Sequence, residues 1–125
     1  ESFRRGAAAA VVGNRIGDIG SAVETYVREF GYSVVRKFVG HGVGAELHEE
    51  PEVPNFGTPG RGVRLFAGMT LAIEPMVNVG APDVKELPDG WTVKTVDRSL
   101  SAHYENTVAL TEHGVLVLTE VEKDF

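Results

Sequence analysis

Residues 18 to 30, DIGSAVETYVREF, place Ile19, Ala22, Val23, Tyr26, Val27 and Phe30 at helical spacing, which predicts an amphipathic helix. Asp18 is its expected cap and Gly31 its expected stop. Before it, about Glu1 to Val12 also reads as helix, joined through VGNRIG. From Val34 the period changes. VVRKFV is a short β-branched run, residues 49 to 64 hold three prolines and three glycines and read as loop, and MTLAIE, WTVKTV, HYENTVAL and GVLVL read as strands. Turn chemistry such as Pro88-Asp89-Gly90 separates them. Two helices followed by a strand-rich half predict an α+β domain over residues 1–125.

Strand geometry gives two of these runs a common property, because alternate residues share a face. In TLAIE, Thr70, Ala72 and Glu74 face one way and Leu71 and Ile73 the other. In HYENTVAL, His103, Glu105, Thr107 and Ala109 face opposite to Tyr104, Asn106, Val108 and Leu110. Each glutamate thus lies on a face otherwise lined mostly by small residues, which leaves space in front of the carboxylate. A partly buried carboxylate with space before it calls for a cation.

Composition narrows what that cation is. The 125 residues include no cysteine, so thiolate metal sites and disulfides are excluded and any metal must be held by His, Asp or Glu. A cysteine-free chain is also what a cytoplasmic location leads one to expect. With 18 acidic against 12 basic residues the formal charge is −6, and no basic stripe is visible, which argues against nucleic acid as a partner. The run GAAAAVVG is far too short to cross a bilayer. The opening ESFRRGAAAAVV reads as helix with no start signal before it, the pattern expected of a chain entered partway through a longer one.

The segment Gly40 to Pro51, GHGVGAELHEEP, carries the densest chemistry. A phosphate loop would open directly into a helix, but here the glycines lead into Glu49, Glu50 and Pro51. A zinc-protease helix would place a histidine four residues after His48, where Glu52 stands. What remains is a strand-and-loop site in which glycines allow close approach to His41. An imidazole nitrogen suits first-row divalent ions. Pro75, after Glu74, ends regular pairing, whereas Glu105 is expected mid-strand, where an unpaired charge is costly. His48 reads either as a hydrogen-bond donor to a substrate or as a loop histidine facing water. Trp91, after Asp89-Gly90, reads either as a pocket wall or as a core aromatic.

GHGVG…LHEEP, then AIEPMV, DGWTVKT and SAHYENTVALTEHG, in that order, resemble the carboxyl-terminal half of a type I methionine aminopeptidase. The resemblance runs from the first helix to about Thr119. It implies the carboxyl-terminal half of a pseudo-two-fold α/β architecture, the pita-bread fold. It also implies removal of the initiator methionine from nascent polypeptides, with two divalent metal ions (Co, Mn, Fe or Zn) making hydroxide available near neutral pH. By the same resemblance His41, Glu74 and Glu105 match metal ligands, and Glu74 is a proton carrier. His48 contacts substrate and steadies the intermediate, and Leu47 and Trp91 line the methionine pocket. Leu47 stands where a larger aromatic is expected, and His103 where the family more often has glutamine, so His103 is a candidate outer-sphere donor.

Two further aspartate ligands of that family belong to an amino-terminal half with no counterpart before His41, so this chain brings three of five expected ligands. It is therefore expected to hold at most one ion, weakly, and to need a partner segment carrying two aspartates, besides its substrate, the amino terminus of a peptide. Alternative readings are an Xaa-Pro or creatine-type hydrolase on the same fold and a non-catalytic pita-bread binding module.

Overall fold

The computed structural model describes residues 1–121; the last four residues of the expected 1–125 unit lie outside the described residues. Helix α1 spans Ser2–Ala9 and α2 spans Ile16–Glu29. Among the described residues ten strands follow: β1 Ser33–Val34, β2 Gly40–Gly42, β3 Glu49–Val53, β4 Thr70–Ile73, β5 Met76–Asn78, β6 Val84–Glu86, β7 Val93–Thr95, β8 Ser101–His103, β9 Asn106–Thr111 and β10 Gly114–Val117.

The helices form where apolar residues recur at helical spacing. In α1, Phe3, Gly6 and Ala7 are buried, and in α2, Ile16, Ile19, Gly20, Val23 and Val27. Helix α2 begins two residues before its expected cap. Asp18 sits inside the first turn and accepts a hydrogen bond from the Arg15 backbone N–H at 2.7 Å, securing the start from within. Gly31, at φ +72°, stops the helix as expected. The first helix ends earlier than expected, leaving Val11 and Val12 exposed.

The strands form three antiparallel sheets, ordered β10-β9-β4-β2-β3, β1-β5-β8 and β6-β7. Both helices contribute to the main core. Phe3, Ala7, Ile16 and Ile19 cluster with Val53, Leu71, Ile73, Val108 and Leu110 from the five-stranded sheet. A second cluster joins Val23 and Val27 to Val34. No helix among the described residues is long and apolar enough to cross a membrane.

Two expectations about strands are corrected. Residues 49–53, expected as loop, form β3. It is an edge strand, and its register shifts against β2 between His41 and Gly42, so Pro51 falls where the missing N–H costs no regular ladder bond. HYENTVAL is not one strand either: β8 ends at His103 and β9 starts at Asn106. Strands β4 and β5 break in the same way, around Glu74-Pro75. Since β4 pairs with β9 and β5 with β8, one two-stranded ribbon passes from the five-stranded sheet into the three-stranded sheet.

Candidate metal centre

The ribbon's register is continuous across its bend. Ile73 pairs with Asn106 and Met76 with His103, so Glu74 falls opposite Glu105 and Pro75 opposite Tyr104. The Tyr104 N–H donates to the Pro75 carbonyl at 3.1 Å, holding the strands together at the break. Glu105 is therefore not mid-strand but directly across from Glu74, each at a point where regular pairing lapses. Facing like charges on paired strands repel unless a proton or a cation lies between them.

The third group arrives from β2, where His41 pairs with Ala72, two residues before Glu74 on the same face. The strands themselves require the glycines flanking His41. A Cβ on Gly40 would run into the Ala72 carbonyl oxygen, and one on Gly42 into that of Glu50. His41 Nδ1 donates to the Gly42 carbonyl at 2.9 Å, because a carbonyl can only accept. In the neutral ring that leaves Nε2 as a lone pair, 3.3 Å from Glu74 Oε2. Ligand atoms of His41, Glu74 and Glu105 all lie within 4.8 Å of one another, the one such group of three or more His, Asp or Glu donors among the described residues.

Electrostatics reflect the crowding. Burial, a hydrogen bond shared with Glu105 and the Glu105 charge push the Glu74 carboxyl up to about 8. Without metal the pair thus holds a proton at neutral pH. The donor set fits a divalent cation: two carboxylates supply −2, and the imidazole supplies a neutral nitrogen. An expected outcome follows from the sign of the shift. Folded Glu74 keeps its proton while the unfolded carboxyl ionises near 4.5, so the contribution of this group to metal-free stability is fully present below 4.5 and is lost progressively up to about 8. Urea unfolding in chelator across that range checks it; a midpoint that rises through the same window overturns the assignment.

A cleft of about 370 Å³ opens onto His41 and Glu105 of this group, lined among others by Leu47, His48, Asn106 and Thr119. His48 is exposed on the β2–β3 loop with its ring 4.1 Å from that of His41, centroid to centroid. Leu47 is 71% exposed at the rim. Trp91 is not brought to the cleft and is not a core aromatic. It stands 89% exposed near the tip of the β6–β7 hairpin, a ribbon of its own, where Asp89 accepts the Trp91 and Thr92 N–H groups. His103 is exposed at the end of β8 and stands outside the donor group.

Three groups around the bend escaped the sequence reading. Buried Asn55 donates through Nδ2 to the Glu74 carbonyl at 3.2 Å. Buried Asn106 follows Glu105, and Thr119 joins it from beyond β10. Only Asn106 carried a signal, its position beside Glu105 on a predicted strand.

The profile described as metallopeptidase family M24 matches residues 1–112. Among curated relatives, a methionine aminopeptidase of Clostridium perfringens is 59% identical over 122 residues, 98% of this chain and 49% of the relative. Methionine aminopeptidase 1 of Bacillus subtilis is 52% identical over 121 residues, 97% of this chain and 49% of the relative. Among solved structures, a methionine aminopeptidase from Thermotoga maritima superposes with TM-score 0.93 at 48% identity, covering 96% of this chain and 48% of that one. A prolidase from Pyrococcus horikoshii gives 0.70 at 23% identity, a likeness of fold alone, covering 98% of this chain and 30% of that one. The chain spans about half the length of the curated relatives it matches.

Proposed function

The chain belongs to metallopeptidase family M24 and has the pita-bread fold, and from that premise we propose that it is the carboxyl-terminal half of a methionyl aminopeptidase catalytic domain, removing initiator methionine from nascent chains in the cytoplasm. What carries this reading is the meeting of His41, Glu74 and Glu105 at the bend of one ribbon. These three hold a divalent ion, with Mn, Fe, Co and Zn all compatible with an imidazole–carboxylate set. When bound, such ions polarise a carbonyl and lower the pKa of water toward neutrality. Two carboxylates neutralise one divalent ion. A second ion needs further carboxylates, which we assign to two aspartates in a partner segment.

The chain's own residues supply the remaining steps. Glu74, at the bend opposite Glu105, is the carboxylate we assign to carry a proton to the leaving amine. His48, beside His41 at the mouth of the cleft, donates a hydrogen bond to the substrate carbonyl as negative charge develops on its oxygen. Leu47 offers apolar surface to the methionine side chain, with less contact to sulfur than an aromatic ring would give.

Assay of the metal-loaded protein carrying both halves on Met-Gly and Xaa-Pro peptides tests the reading. Release of free methionine from Met-Gly is the expected result. Preference for Xaa-Pro points to the proline-processing reading instead, and metal binding without cleavage of either peptide to a binding module.

A further inference from the structure

Glu105 is flanked by two residues whose side chains lie on the opposite face of the strand and are tied to each other. Asn106, 5% exposed, donates through Nδ2 to the Tyr104 hydroxyl at 2.9 Å. Its Oδ1 accepts from the Thr119 hydroxyl at 2.7 Å, and that hydroxyl in turn accepts the Thr107 N–H at 2.9 Å. Both polar atoms of the buried amide are therefore used. The Tyr104 ring meets Phe3 edge-on at 5.4 Å, which ties this side-chain clip to α1.

We propose that Asn106 is a positioning residue for Glu105: by bridging Tyr104 and Thr119 behind the ribbon it fixes the backbone angle at which Glu105 meets Glu74 and His41. The inference rests on the metal-centre reading above. The bend is where this matters. Between His103 and Asn106 regular strand structure lapses, and apart from the Tyr104 N–H to Pro75 carbonyl bond the ladder constrains Glu105 less than its neighbours. A side chain bonded on both sides of Glu105 replaces that constraint, and the amide is suited to it because it offers a donor and an acceptor in one plane. The clip supplies none of the three clustered ligand atoms, although Asn106 and Thr119 also border the cleft; it acts through the ligand, as groups behind metal ligands commonly do.

The test is calorimetric titration of the full chain with Co(II) alone, alongside the visible absorption of the Co(II) protein and thermal midpoints. Asn106→Leu keeps the branched outline of the side chain and removes both hydrogen bonds; it is expected to weaken Co(II) binding roughly ten- to hundredfold and to shift the absorption band. Tyr104→Phe removes one oxygen from a half-exposed ring and is expected to weaken binding in the same direction by less. Val23→Ala, in the second core cluster, is expected to lower the thermal midpoint and leave affinity unchanged. Wild-type affinity in Asn106→Leu overturns the proposal, and Tyr104→Phe decides in the same way if that variant does not fold. Equal weakening in Val23→Ala also overturns it, since binding would then follow global stability. Wild-type binding by Glu105→Gln overturns the ligand assignment itself, a result distinct from failure of the clip.

Discussion

Glu105→Ala is expected to remove the metal centre and, in the same molecule, to make the metal-free chain more stable at alkaline pH. The first effect follows from losing one of two anionic ligands. Co(II) affinity should fall by more than the roughly hundredfold that removing a group behind a ligand costs. The second follows from what holds the Glu74 carboxyl at about 8. Of the three causes, the shared hydrogen bond and the facing charge both come from Glu105, and only burial survives the substitution. Burial is the largest of the three, so the Glu74 carboxyl should move only part of the way back toward 4.5, and part of the stability lost between 4.5 and 8 should return. Calorimetric titration with Co(II) and urea unfolding in chelator at pH 8 read the two effects separately. Unchanged metal stoichiometry and affinity would remove Glu105 from the site.

Gly40→Ala is expected to carry a large cost to the fold. Gly40 lies on β2, which β3 and β4 hold on either side. An added Cβ meets the Ala72 carbonyl oxygen on one side and the Val53 carbonyl oxygen at 3.1 Å on the other. Neither is the end of a flexible side chain, so whole strands must part. Overpacking of this kind costs about 3 kcal/mol, the upper end of its usual range. Metal binding should weaken as well, because the His41–Ala72 pairing is what brings the imidazole beside Glu74. Urea unfolding checks the first effect, and a loss below about 1 kcal/mol would show that β2 has room to give.

Much of the site was legible because strand alternation survives the bend. The register of β4–β5 against β8–β9 is unbroken, so Glu74 and Glu105 were placed on the correct faces even with HYENTVAL read as one strand. For the same reason the bend itself was invisible: a period-two pattern that continues across a change of sheet leaves no mark except Pro75. β3 was hidden by proline content, since Pro51 suggests loop in general yet is compatible with an irregular edge strand. Asp18 was placed at the wrong position in its helix because an aspartate suits either the cap or the first turn. The exposure of Trp91 and the grip of Asn55 on the Glu74 carbonyl depend on contacts distant in sequence, which no local pattern records.

The ribbon that turns from one sheet into the other also works as a ruler. One residue inserted between Ala72 and Glu74, or between Glu105 and Thr107, would rotate a carboxylate to the helix-packed side, among Leu71, Ile73 and Val108. Point changes at neighbouring positions leave that phase untouched. Errors of length are therefore the more dangerous kind along this stretch, and loop-length engineering of this chain belongs in the β6–β7 hairpin.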